Sequence, residues 1–279
     1  MPFSLQNKVA IITGASAGIG ESVARKLAAE GVSVVLAART PGPLDTLVEA
    51  IIAAGGKATA VPTDVGSHED QQRLIDTTLE TYGQIDIVVN NAGLHHRGLF
   101  ENVAALDLAK MVDVNLRGPL VLTHLALPHL RKNGGGAVVN VASLAGHLPL
   151  PEAATYSATK FGLRALSLAL SLELAESGVT FSLVSPGPVS TGFIMDHLEN
   201  VSHLTLSQPI STPDEIADDV LASIQDGMPE RCRPANSGRL AKAAYVMPGI
   251  RKLLRPIMER KGKRNKARII AEHNQNIKS

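Results

Sequence analysis

The sequence predicts a doubly wound α/β fold, a single Rossmann-like domain with a parallel sheet and helices on both faces. Three observations predict it. Short aliphatic runs of strand length alternate with helix-period segments along most of the chain, the pattern of strands joined by helical crossovers. The runs are nearly continuous in Val, Ile, Leu and Ala, as strands buried on both faces are. A glycine-rich turn joins the first run to the first helical segment, the place where such folds bind nucleotides.

The elements follow in order. "VAIIT" (9–13) is the first strand, followed by a helix from about Ile19 to Glu30. "SVVLAA" (33–38) precedes a helical segment that Gly55 and Gly56 stop. "ATAVPT" (58–63) precedes a helix with Ser67 as N-cap and Glu69 and Asp70 in its first turn. "IDIVVN" (85–90), "GAVVNVAS" (136–143) and "VTFSLVS" (179–185) are further strands. Long helical patterns fill 105–132 and 155–177, and a last one runs from about Pro213 to Gln225 behind Thr212. The boundaries are residues 1–227 for the dinucleotide-binding and catalytic domain and 228–279 for a C-terminal extension.

A chain of 279 residues buries a large core without staples. A single Cys232 excludes an internal disulfide framework and fits a reducing compartment. His95, His96 and the other histidines form no metal-ligand spacing, so no metal site is expected. A strand-like run begins at Lys8 and no apolar run reaches membrane-span length, so the expected location is cytoplasmic. The net charge of +1 conceals an asymmetry: residues 228–279 carry 14 of the 27 Lys and Arg with only 3 acids, a basic tail on an acidic body.

"TGASAGIG" (13–20) places Gly14, Gly18 and Gly20 at the turn that opens the first helix. Bare backbone and free N–H groups there hold a pyrophosphate. At the end of the second strand an NAD site usually carries an acid, but this chain has Ala37–Ala38–Arg39–Thr40. An Arg there pairs with a 2′-phosphate, which points to NADP(H) over NAD.

"TYSATKFG" (155–162) puts Tyr156 one helical turn before Lys160. A free Tyr is a poor base at neutral pH, and a neighbouring ammonium lowers its pKa. Taken alone, the spacing is common by chance. It gains weight from "TGASAGIG", "TDV" (63–65), "NNAG" (90–93), "VN" (114–115), "VVNVAS" (138–143), "YSATK" (156–160) and "PGPVST" (186–191) in that order. On these motifs the chain resembles the short-chain dehydrogenase/reductase family over residues 8 to about 225.

The resemblance implies a seven-stranded sheet and hydride transfer between NADP(H) and a carbonyl or secondary alcohol. It implies a catalytic set of Asn115, Ser143, Tyr156 and Lys160: Tyr156 as general acid/base, Lys160 as its tuner, Ser143 holding the substrate oxygen, Asn115 in the proton relay. Gly14, Ser16, Gly18, Ile19 and Gly20 resemble the phosphate turn, and Asp64 with Val65 the adenine contact. Asn90, Ala92 and Gly93 resemble the wall beside the ribose, and Pro186, Gly187, Val189 and Thr191 the nicotinamide face. An NAD-dependent alcohol dehydrogenase and a non-catalytic NADP-binding protein are the alternatives; the latter would tolerate a damaged catalytic set.

The pocket is expected from Leu94–Arg97, Leu144–Leu150 and the long connection 192–210, whose Phe193, Ile194, Met195, Leu198 and Leu206 suit a hydrophobic carbonyl or alcohol substrate. In the family, helices matching 105–132 and 155–177 join two subunits, so a homodimer is expected. In the tail, apolar residues recur at near-helical spacing over 238–258, interrupted by Pro248 and Pro256, and six basic residues of ten follow in 259–268. One reading of the extension is a last strand and a short helical cover on the domain or pocket, ending in a solvated, frayed basic arm; the other is a weak peripheral contact with anionic membrane surfaces. Nucleic acid is not expected, because the stretch lacks stacking aromatics.

Overall fold

The computed structural model describes residues 3–276, with side chains throughout except at 248, 251 and 272–276. Residues 277–279 of the extension lie outside the described residues. One sheet of seven parallel strands runs in the order β3-β2-β1-β4-β5-β6-β7. The strands are β1 (Val9–Thr13), β2 (Ser33–Ala38), β3 (Lys57–Pro62), β4 (Ile87–Asn90), β5 (Gly136–Val141), β6 (Val179–Pro186) and β7 (Glu230–Arg233). The order reverses between β1 and β4, the switch point at which ligands bind beyond the strand C-termini.

The apolar runs make this sheet because successive side chains face opposite helical layers. Ala10 and Ile12 of β1, Val34 and Leu36 of β2, and Ile87 and Val89 of β4 pack into one core. That core also takes residues from α1 (Gly18–Ala29), α2 (Pro41–Ala53) and α9 (Pro213–Asp226). Val9, Ile11, Val35, Ala37 and Val88 face the other way, onto α3 (His68–Tyr82) and α5 (Gly118–Lys132). Local signals set the helix ends. The Ser67 hydroxyl accepts from Asp70 N at the start of α3, and Gly83 closes that helix in the left-handed region. Thr212 and Glu215 form a capping box at α9.

The segment 105–132 departs from the expected single helix. It comprises α4 (Ala105–Val112), a π-turn over Asp113–Arg117 and α5. The π-turn adds a residue to one turn, a change the apolar spacing hides. The next helix, α6 (Ala154–Glu173), carries "YSATK" near its start.

Between β6 and α9 the chain forms two short helices, α7 (Gly192–Met195) and α8 (His203–Leu206). After β7 come α10 (Ala235–Val246) and α11 (Pro248–Asn276). Pro248 starts α11, as proline can. Pro256 lies inside α11 without ending it. The expected interruption is therefore seen at Pro248, between α10 and α11, but not at Pro256, and no frayed arm is seen over the described residues, because α11 docks on α8. Asn265 Nδ2 donates to Leu206 O (2.9 Å), and Lys266 Nζ donates to Glu199 O (2.6 Å) and Val201 O (3.0 Å). Ile269 is buried against Ile194, Leu198, Val201 and Leu206.

Candidate active site

The cleft begins at the glycine turn. Gly14 and Gly18 have φ of 64° and 59°, a region costly for residues with a Cβ. A Cβ on Gly14 would also lie 2.9 Å from Ala92 Cα, and one on Gly20 2.2 Å from Gly14 O. Gly14 and Gly18 therefore line the cleft, while Gly20 lies behind it, where a helix backbone presses on the turn. Ala17 caps α1 without any side-chain hydrogen bond, which leaves the first N–H groups of the helix free for an anion. Ser16 and Ile19 border the same space.

Beyond β2, Arg39 is exposed, lines the cleft and has no hydrogen bond or ion pair among the described residues. Asp64 and Val65 form the adjoining wall. Asp64 Oδ1 accepts from Gly66 N, which shapes that turn. On the other side of the turn Asn91 donates to the carbonyls of Thr13 and Gly14. Asn91, Ala92 and Gly93 line the cleft, but Asn90 does not. Its side chain turns into the fold and donates to Thr123 Oγ1 and Asn140 Oδ1. The ribose wall expected from Asn90 thus falls to its neighbours, because strand alternation points Asn90 inward.

Ser143, just beyond β5, faces Tyr156 and Lys160 of α6 across the cleft. Lys160 Nζ donates to Val141 O at 2.9 Å and sits 5.7 Å from the Tyr156 ring centroid. Burial brings the Lys160 pKa down to about 8. Tyr156 departs from expectation: burial pushes its phenol up, and the Ser143 hydroxyl and Arg97 only partly oppose this. Lys160 does not override that cost here. The phenol is therefore held protonated at neutral pH.

Asn115 is fully buried in the π-turn and does not border the cleft. Its Oδ1 accepts from Leu94 N, and its Nδ2 donates to Leu94 O and Thr159 Oγ1. It thereby ties the loop after β4 to α6. His95, in the segment expected to line the pocket, stacks on Tyr156 with centroids 4.1 Å apart and planes 12° apart. Burial and neighbouring cations bring its pKa down to about 3, so it covers the phenol as a neutral ring.

Residues 8–201 match the family model for short chain dehydrogenases. The chain belongs to the short-chain dehydrogenase/reductase family. Among its relatives, the ketoacyl reductase HetN of Nostoc sp. is 37% identical over 80% of this chain and 77% of its own. A cyclohexanol dehydrogenase of Acinetobacter sp. is 34% identical over 81% and 91%. A metagenomic short-chain oxidoreductase solved in complex with NADP has a TM-score of 0.70 at 32% identity and covers 82% of this chain and 98% of its own. A 3-ketoacyl-(acyl-carrier-protein) reductase from Brucella melitensis complexed with NADH has a TM-score of 0.75 at 28% identity, over 83% and 99%.

The residues of this short-chain dehydrogenase fit a nicotinamide dinucleotide. The bare turn and uncapped helix suit a pyrophosphate, and Pro186, Gly187, Val189 and Thr191 line the far end beside Tyr156. The same cavity, about 740 Å³ in all, continues past Tyr156 into an apolar region. Leu94, Leu144, Leu148 and Leu150 line it, as does the connection 192–210. Leu240, Ala244, Leu254 and Met258 of α10 and α11 complete the wall. The helical cover expected of this stretch is thus found on the pocket. Among the described residues no group of His, Cys, Asp and Glu could hold a metal ion, and no helix is long and apolar enough to cross a membrane.

Proposed function

We propose that this oxidoreductase is an NADP(H)-dependent carbonyl reductase or secondary-alcohol dehydrogenase for hydrophobic substrates, with Tyr156 as general acid/base. One observation carries the reading: Tyr156, Ser143 and Lys160 face one cavity whose far end is the uncapped glycine turn and whose other end is apolar. A bound nicotinamide supplies or accepts the hydride. Ser143 donates to the substrate oxygen and needs no titration to do so. Tyr156 gives that oxygen its proton in reduction and takes it back in oxidation. Lys160, anchored on Val141 O, holds positive charge near the phenol. His95 and Phe193, tilted against Tyr156 at 6.3 Å, keep water from its ring. A raised phenol pKa favours the proton donor, hence reduction near neutral pH.

The exposed, unpaired Arg39 supports NADP(H), since its guanidinium suits a 2′-phosphate. The NAD reading stands second, because the Brucella reductase of similar fold was solved with NADH. A dimer through α4, α5 and α6 is supported by Leu106 and Leu172, which are 84% and 81% exposed. Exposed Tyr245, Val246, Met247, Leu253 and Ile257 near the basic face of α11 support a weak peripheral contact with anionic membranes, otherwise with the protein in the cytoplasm. The two-part division at 227/228 stands as part of this reading.

The test is NADPH consumption against ketones and aldehydes of graded size, beside thermal shifts with NADP and NAD. Consumption with apolar ketones and the larger shift with NADP are expected. Failure of every carbonyl compound with a bound cofactor would refute the enzyme reading.

A further inference from the structure

Arg97 has so far entered only as a charge that partly opposes the upward push on the Tyr156 phenol. It lines the substrate end of the cavity, half-buried. Its guanidinium lies 5.2 Å from the centroid of the Phe193 ring, and the Phe193 and Tyr156 ring centroids are 6.3 Å apart. Burial opposes its positive charge, which a Tyr156 phenolate alone would favour. The groups around it do not neutralise it: His95 is held neutral, and Lys160 is a cation or neutral. Glu152 and Asp196 border the same cavity, yet neither forms an ion pair with Arg97. Among the described residues Arg97 has no hydrogen-bonded partner at all. Buried charges are ordinarily paired, so a half-buried guanidinium without an ion-pair partner, in the cavity that holds Tyr156, calls for an anion from outside the chain.

We propose that Arg97 binds a carboxylate carried by the substrate, a few bonds from the carbon that exchanges hydride. This rests on the oxidoreductase reading and narrows it: the substrates are oxo acids with an apolar body, and the products are the matching hydroxy acids. A carboxylate fits better than a phosphate. The planar fork of Arg matches it in two hydrogen bonds, and the charges cancel one for one. A phosphate dianion would need a second cation, but Lys160 is committed to Val141 O and Arg255 to Glu259. The apolar walls from Leu148, Leu150, Leu254 and Met258 take the rest of the molecule.

The experiment uses phenyl-substituted oxo acids with one to four carbons between carbonyl and carboxylate, each beside its methyl ester. Affinity for the enzyme–NADP⁺ complex is measured by calorimetry, and turnover by NADPH consumption. For at least one spacing, wild type should bind the acid about 10- to 100-fold tighter than the ester, the range expected of a charged hydrogen-bond pair. Arg97→Gln should bring that ratio close to one, and Arg97→Lys should keep part of it. Equal affinity for acid and ester in wild type at every spacing overturns the proposal. So does an Arg97→Gln protein that weakens acid and ester alike, which would assign Arg97 to the Tyr156 phenol. An acid preference that depends on Arg97, without any NADPH consumption, would uphold the anion site and refute the oxidoreductase reading instead.

Discussion

Gly262 of α11 offers a test in which the sign of the effect discriminates. In an isolated helix, Gly→Ala stabilises by about 1 kcal/mol. In this structure a Cβ at 262 would lie 1.7 Å from His203 O and 2.5 Å from His203 C. An ordinary C···O contact is ~3.3 Å, so α11 and α8 must separate by more than an ångström. That movement breaks the bonds of Asn265 and Lys266 to the connection 192–210 and uncovers Ile269. Three modest hydrogen bonds and one aliphatic side chain together hold the docking by on the order of 3–5 kcal/mol. Gly262→Ala should therefore release α11 and the connection it covers, despite the gain in helix propensity. Hydrogen exchange followed by mass spectrometry should show faster exchange over 192–210 and 257–271, with the β-strands unchanged. KM for apolar substrates should rise more than kcat falls. Unchanged or slower exchange in both segments would refute the docking.

Other consequences can be checked in parallel. Tyr156→Phe should lower turnover by about 10²- to 10⁴-fold while NADP affinity stays close to wild type, because only the proton donor is lost; calorimetry and steady-state kinetics check both halves. Arg39→Asp should move the kcat/KM preference from NADP toward NAD, since a carboxylate repels a 2′-phosphate and accepts from ribose hydroxyls. Alcohol oxidation should speed up from pH 7 to 9 while ketone reduction does not, because the raised Tyr156 pKa keeps the base form scarce at neutral pH; initial rates in both directions decide it. Lys160 in the folded state titrates near 8, against 10.5 ordinarily. The unfolded chain therefore holds the extra proton between those values, and folding gains as pH rises through them. Denaturant titrations should show wild type gaining about 3 kcal/mol over Lys160→Met between pH 7 and 11.

Six strands were legible because each holds a run rich in small aliphatic residues, a signal that survives without tertiary context; β7, Glu-Arg-Cys-Arg, carries no such run and pairs with β6 through its backbone. The glycine turn was legible from its place between strand and helix, and Ser143, Tyr156 and Lys160 from the ordered set of motifs that carries the family resemblance. Residues whose place depends on packing were not. Asn90 belongs to a recognisable motif, yet strand alternation turns it inward. The π-turn around Asn115 leaves an apolar spacing that looks like an ordinary helix. His95 and Arg97 fall in a segment expected to line the pocket, but nothing local reveals that one stacks on the phenol and the other lies over the Phe193 ring. The basic run 259–268 looked solvated by its charge, while Gly262, Asn265 and Ile269, the residues that dock it, are too sparse to form a stripe.

The cavity wall formed by Leu254 and Met258 lies some fifty residues beyond the end of the family match at 201. Part of the cavity wall is thus written beyond the stretch that carries the reacting groups, while Leu94, Arg97, Leu148 and Leu150 share that stretch with them. The reductases and dehydrogenases related to this chain inform its hydride chemistry, but their substrates say little about what fits beneath α10 and α11. The same partition makes the molecule divisible for engineering: exchanging residues 235–276 between relatives with similar extensions would transplant that part of the wall while leaving the proton-transfer machinery as it stands.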